Sequence, residues 1–216
     1  MARFQKLIFL LVLTVSAAAE TLVYLGTYTG VESKGIYRST LDETTGELSD
    51  PVLAAELENP SFLVVSPDQN YLFAVSENGN FKGEEGGGVS SFAIGEDGGL
   101  TLINQVNSGG GAPCHISTDP EGKCLLVANY MGGSISSYQI SADGKLVSPA
   151  AGGFIQHEGQ GAQLPRQASP HAHSVNVDPI GKRAYVTDLG LDKVLIYKLD
   201  AAAGTITPND PAFLKL

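Results

Sequence analysis

Three times along this chain a short apolar run meets a polar turn carrying a proline and returns as a second apolar run. The copies are Pro60 to Val75, Pro113 to Ala128 and Pro170 to Val186, and their turn prolines, Pro67, Pro120 and Pro179, stand 53 and 59 residues apart. Each copy continues into a third run, Gly88 to Ile94, Gly133 to Ile140 and Lys193 to Leu199, followed by a Gly-bearing turn and a further apolar residue. Another copy opens with Leu22 to Thr27 and Gly35 to Leu41. Short runs rich in Val, Ile, Tyr and Phe between Pro, Asp and Gly are strands joined by hairpins. No window beyond the N-terminal residues has helical spacing. The pattern predicts an all-β chain with four antiparallel strands per repeat. Units of that size cannot bury their own faces and must stack on one another, so the fold class expected is a β-propeller.

The blades are expected over residues 20–57, 58–110, 111–168 and 169–216. The last copy stops where another inner strand would begin, so the chain reads as a truncated ring with an unsealed edge open to self-association. Residues 1–19 stand apart from the repeats. Arg3 and Lys6 give a basic start, Leu7 to Val15 is apolar apart from Thr14, and Ala17 to Ala19 offers a small-residue cleavage site. This is the layout of a signal peptide, too short for a membrane span, and it predicts export to the periplasm or the extracellular space with no membrane contact after its removal.

The formal charge is -10, or -12 once Arg3 and Lys6 are removed, which argues against nucleic acid or an anionic membrane as partner. Export would place Cys114 and Cys124 in an oxidising compartment, where a disulfide is the tempting assignment. If the hairpin turn centres on Pro120 and Glu121, however, Cys124 faces Thr118 and Cys114 faces Ala128. That separation is too long for a bridge, and two free thiols serving as small apolar residues are expected.

Residues entering the inner strand and residues leaving the second strand emerge on the same face of such a blade, beside the central channel. Ser61, His115, His171 and His173 fall on the approach side. Thr27 with Tyr28, Glu77 with Asn78, Asn129 with Tyr130, and Asp188 fall on the exit side. His171 and His173 are two apart, so in extended chain both point the same way. Arg166 precedes them on a long Gly- and Gln-rich connection, Gly152 to Ser169, of the length that is either functional or disordered. Its guanidinium fork suits an anion. The His-x-His pair needs a third ligand and commonly a fourth, and the candidates, His115 and Asp188, lie on a different repeat and a different strand, so no metal is expected, and nothing in the sequence requires a cofactor. Imidazole as general acid or base competes with histidines that merely tie loops together, and Asn129 and Asp188 equally suit turn capping.

Several phrases carry a resemblance: Tyr24 to Thr29, Gly111 to Pro120, Leu126 to Tyr130 followed by Gly132 to Ser134, and Pro170 to Ser174 followed by Val186 to Gly190. Together they resemble the lactonase family of seven-bladed β-propellers, which includes 6-phosphogluconolactonase and is related to carboxymuconate cyclase. The resemblance implies about seven blades, four of them present, and a channel-mouth site collecting a histidine, arginines and a glutamate. Arg166 with Gln167 matches the family's Arg-Gln pair; Pro165 and Ala168 flank it where an acid is common, which leaves the acidic partner open. What is implied is the opening of a small-molecule lactone by water, or ring closure of an organic acid; the remaining alternative is a non-enzymatic propeller that binds a ligand over the same rim. His171 or His173 would be the base, Arg166 the electrostatic clamp, and His115, Asn129, Asp188 and Glu77 the residues that bind substrate.

Overall fold

The computed structural model describes residues 21–148 and 151–215; the expected signal peptide lies outside them. The chain forms four antiparallel sheets in sequence order. The first holds β1 (Thr21–Leu25), β2 (Gly35–Leu41) and β3 (Val52–Glu56). The second holds β4 (Leu63–Val65), β5 (Tyr71–Ser76), β8 (Gly88–Ile94) and β9 (Leu100–Asn107), with a small hairpin, β6 (Asn80–Phe81) and β7 (Glu84–Glu85), inserted between its middle strands. The third holds β10 (Pro113–Thr118), β11 (Cys124–Asn129), β12 (Ser134–Ile140), β13 (Leu146–Val147) and β14 (Phe154–Gln156). The fourth holds β15 (Ala172–Val177), β16 (Arg183–Asp188), β17 (Lys193–Asp200) and β18 (Thr205–Lys215).

Two of these sheets depart from the four-strand expectation. The first has three strands among the described residues. Thr27 donates its hydroxyl to Gly35 O where Ser76 pairs with Gly88, so β1 occupies the second-strand place. In the third sheet β13 is only two residues long, and β12 completes its outer edge by pairing Ser134 to Ser136 with β14. The connection from Gly152 to Ser169 is therefore part strand and not wholly loop.

Side-chain alternation explains the stacking. On β5, Leu72 and Ala74 pack toward the first sheet with Ile36 and Phe92. Phe73 and Val75, on the other face, pack toward the third with Ile116, Leu125 and Val127. On β11, Leu125 and Val127 face the second sheet, whereas Cys124, Leu126 and Ala128 face the fourth with Val175, Val186 and Tyr197. A strand buried on both faces must be apolar at nearly every position, which is why these second strands read as unbroken apolar runs. Serines of third strands then tie neighbours together: Ser91 donates to Gly144 O (2.6 Å) and Ser137 to Gly204 O (2.7 Å).

The hairpin register differs from the expected one. Asp119 to Gly122 form a turn closed by the Gly122 amide on Asp119 O, with Gly122 at φ +68, and the Asp119 carboxylate also accepts the Glu121, Lys123 and Cys124 amides. This loop sets Thr118 opposite Leu125, not Cys124. Cys114 faces no partner, because a bulge separates Pro113 from His115, and it is His115 that pairs with Ala128. Both cysteines are free. Cys124 is buried in the core, while Cys114 is only half-buried.

Candidate functional site

The bulge in β10 recurs in β15, where Ala172 pairs with Asp188 and Ser174 with Thr187, leaving His173 outside the ladder. A bulge re-aims the side chain of its extra residue. Counted back from the turn residues Ser66, Asp119 and Asp178, the residue five positions earlier is Ser61, Cys114 and His173. The chain crosses each of these points with the same backbone hydrogen bond: Glu77 N to Asn59 O, Tyr130 N to Ala112 O, and Leu189 N to His171 O. Ser61, Cys114 and His173 all line one open cavity of about 380 Å³, together with Tyr28, Glu77, Tyr130 and Arg166. Successive blades thus contribute successive sides of a single mouth.

Glu77 is the acid of this cavity. Its Oε2 accepts the Tyr28 hydroxyl at 2.8 Å and the Ser61 hydroxyl at 2.5 Å, which leaves Oε1 free of these two donors. The bond to Glu77 is the chief reason that the Tyr28 phenol is raised above its ordinary value. Burial, with Glu77 nearby, pushes the Cys114 thiol up to about 12. This is a protonated, unreactive thiol, since the thiolate is the nucleophile.

Arg166 and the histidines gather on Tyr130. The guanidinium carbon lies 5.6 Å from the Tyr130 ring centre, within cation–π range. The His171 ring stacks on Tyr130 at 4.7 Å and 17°, and His173 meets the same ring edge-on at 5.6 Å. His171 Nδ1 lies 3.0 Å from Tyr130 O; a carbonyl only accepts, so Nδ1 carries a proton. Both rings thus reach Tyr130, as expected of residues two apart, but the bulge sets them in different surroundings. His173 is exposed and lines the cavity, whereas His171 is half-buried and does not. Arg166 owes its place to buried Gln167, which accepts the Gln163 amide on Oε1 at 2.7 Å and donates through Nε2 to Leu189 O and Asp192.

Three of the expected substrate-binding residues stand apart from this cavity. His115 packs against Phe62 at 4.2 Å, and its Nδ1 accepts the Val175 amide at 3.4 Å. Burial, aided by nearby His173, lowers its pKa. Asn129 is fully buried, donating to Ser108 O and Ser134 Oγ. Asp188 is 1% exposed. Its Oδ1 accepts the His171 and Leu191 amides at 2.8 and 3.1 Å, and its Oδ2 meets His157 Nδ1 at 2.6 Å. Burial alone would raise this carboxyl, but the His157 bond and the two amides hold it below the ordinary carboxylate value. Asp188 does line a second open cavity, of about 350 Å³, beside His173, Thr187 and Lys193. His157, absent from the sequence-derived site, takes the place that Ser108 holds one blade earlier: each donates its amide to the residue before the third strand, Gly133 and Gly87, and each meets the polar end of the next blade's second strand; the long connection of the third blade hides that equivalence in the sequence. Cys114 could have been found by counting back from the turn.

A sequence profile described as "Lactonase, 7-bladed beta-propeller" matches residues 22–216. The chain belongs to this lactonase family. A 6-phosphogluconolactonase of Bacillus subtilis is 36% identical over 82% of this chain and 48% of its own length. Among solved structures, a periplasmic gluconolactonase of Pseudomonas aeruginosa superposes with a TM-score of 0.80 at 35% identity, over 91% of this chain and 55% of that one. A candidate 6-phosphogluconolactonase of Bacteroides fragilis gives 0.82 at 35% identity over the same shares. The chain spans about half the length of the curated relatives it matches. Family membership accounts for the repeated blade; the Tyr28, Glu77, Arg166 and His173 mouth is what these particular blades bring to it.

Proposed function

We propose that the protein opens a sugar lactone with water at this mouth, with His173 as base and Arg166 as electrostatic clamp. The observation that carries this reading is the single cavity in which an exposed imidazole, a guanidinium and a carboxylate converge. In the proposed step, a water O–H proton passes to the imidazole as the water oxygen bonds to the lactone carbonyl carbon. Arg166 faces the negative charge that develops on the carbonyl oxygen. The tetrahedral intermediate then breaks its ring C–O bond, and the imidazolium returns the proton to the departing alkoxide. The product is the open hydroxy acid.

Glu77, carrying the Tyr28 and Ser61 hydroxyls, supplies acceptors and donors for ring hydroxyls. Among the described residues lining the cavity it offsets the charge of Arg166, which favours a neutral polyhydroxylated lactone over a phosphorylated one. The name of the Pseudomonas aeruginosa relative supports the same choice and supports export, as do the basic and apolar residues 1–19. No helix among the described residues is long and apolar enough to cross a membrane.

The test is a hydrolysis panel on the protein expressed from its own reading frame: δ-gluconolactone, its 6-phosphate, and a muconate-type diacid. Turnover of gluconolactone that falls at least about 100-fold in His173→Ala supports the reading, because positioned acid–base groups contribute on that scale. Turnover of the diacid alone would make the protein a cyclase, and hydrolysis indifferent to His173→Ala would remove the base.

A further inference from the structure

One buried cluster has no part in the step just described. His157 and Asp188 form a fully buried pair, both side chains 0% exposed, with Nδ1 and Oδ2 at 2.6 Å. On the other side of the ring, His157 Nε2 lies 3.1 Å from the Tyr197 hydroxyl, the two rings running parallel at 10°. Ionised Asp188 accepts only, so His157 Nδ1 must carry a proton. Nε2 shares its hydrogen bond with the Tyr197 hydroxyl. Burial and the Asp188 charge keep that phenol protonated by raising it to about 12.

A buried pair of this kind is weak evidence for stability, because desolvation offsets much of the attraction. Its connections are more telling. His157 follows β14 on the connection that carries Arg166, and its own amide donates to Gly133 O. The two backbone amides held by Asp188 Oδ1 are His171, two residues before His173, and Leu191, beside the Asp192 that receives Gln167. The cluster therefore ties the segment bearing the clamp to the segment bearing the base, and neither His157 nor Asp188 nor Tyr197 lines the cavity that holds Glu77 and Arg166.

We propose that His157, Asp188 and Tyr197 form a positioning relay that holds the His173 bulge and the Arg166 connection in register with each other. The assignment of a reaction to that register rests on the lactonase reading above. A displacement of reacting groups by about 1 Å costs on the order of 100-fold in rate, so a relay that fixes the register should act on kcat more than on KM.

The test compares four variants of the protein expressed from its own reading frame, with thermal melts as folding controls. His157→Asn retains an N–H where Nδ1–H stood; His157→Leu removes it and leaves the Asp188 carboxylate short of a donor. Asp188→Asn and Tyr197→Phe keep shape and remove the charge and the hydroxyl. On the lactone the wild type turns over, His157→Leu and Asp188→Asn are expected to lower kcat at least about tenfold with KM changed less than about threefold. Tyr197→Phe should lose less, and His157→Asn should recover most of what His157→Leu loses. Equal losses in folded His157→Asn and His157→Leu, or a full-rate Asp188→Asn, would overturn the relay.

A second readout does not depend on turnover: the ring resonances of His171 and His173 in protein carrying labelled histidine. They should move in Asp188→Asn and Tyr197→Phe and stay in place in His157→Asn. Unmoved resonances in Asp188→Asn and Tyr197→Phe refute the relay even where no lactone is hydrolysed. Moved resonances in a protein without lactonase activity uphold the relay and reject the reaction.

Discussion

The third and fourth blades are built on one plan and differ in what they place on it. Both begin with a bulged inner strand, both cross from approach to exit with the same backbone hydrogen bond, and both end the second strand on a buried polar residue. At the bulge the third blade carries Cys114 and the fourth His173. At the strand end the third carries Asn129, fixed by Ser108 and Ser134, and the fourth carries Asp188, fixed by His157 and two amides. The second strands differ as well: β11 is buried at all six positions, whereas β16 alternates, with Arg183 and Tyr185 exposed. The repeat fixes where a side chain stands, and the side chain decides whether that place serves packing or chemistry.

The largest effect should come from burial. Leu126→Ala on β11 removes a fully buried side chain and should cost about 4 kcal/mol. Tyr185→Ala on β16, at a side chain 38% exposed, should cost under about 1 kcal/mol. Urea unfolding measures both, and similar losses would show that the two strands are equally enclosed.

Exchanging the strand-end residues comes next. Asn129→Asp sets a carboxylate against Ser108 O, where an amide had donated, and should destabilise by about 3 kcal/mol, since an uncompensated buried charge costs on that scale. A neutral outcome in the same unfolding assay would mean that the third blade can supply donors as the fourth does.

Exchanging the bulge residues tests chemistry alone. His173→Cys should lower lactone turnover about 100-fold, equivalent to about 2.7 kcal/mol, while changing stability by less than about 0.5 kcal/mol because the side chain is exposed. A matched fall in stability would make His173 a packing residue.

The acid response should separate the blades more gently. Asp188 has its pKa lowered by folding, so the unfolded chain takes up the proton first. Its stabilising contribution is complete above the ordinary carboxylate range of about 4 and is lost as pH falls through the lower folded-state value. The melting temperatures of wild type and Asp188→Asn should therefore converge below about pH 4; parallel curves would count against the depressed carboxyl. Cys114 gives the smallest signal. A thiol held near 12 rather than 9.0 has about a thousandfold less thiolate at pH 8, so iodoacetamide should label it far more slowly than it labels a solvent-exposed thiol.

Much of this molecule follows from the order of its residues. Alternation on β5 and β11 requires two apolar faces per strand, and strands with two apolar faces must lie between neighbouring sheets; hence the stacked all-β architecture. Recurring Pro and Asp turns placed Glu77 and His173 at the same end of their blades, and both line the mouth. What the tertiary structure decided was finer. A one-residue bulge, which no composition signals, turned His173 into the cavity and left His171 stacked on Tyr130. Contacts from the preceding blade, Ser108 on Asn129 and His157 on Asp188, drew both inward, where a short polar side chain is worth more as a tie than as a ligand contact. His157 met Asp188 across 31 residues of chain, a pairing set by how the long connection folds back, and so only the folded molecule could bring it about.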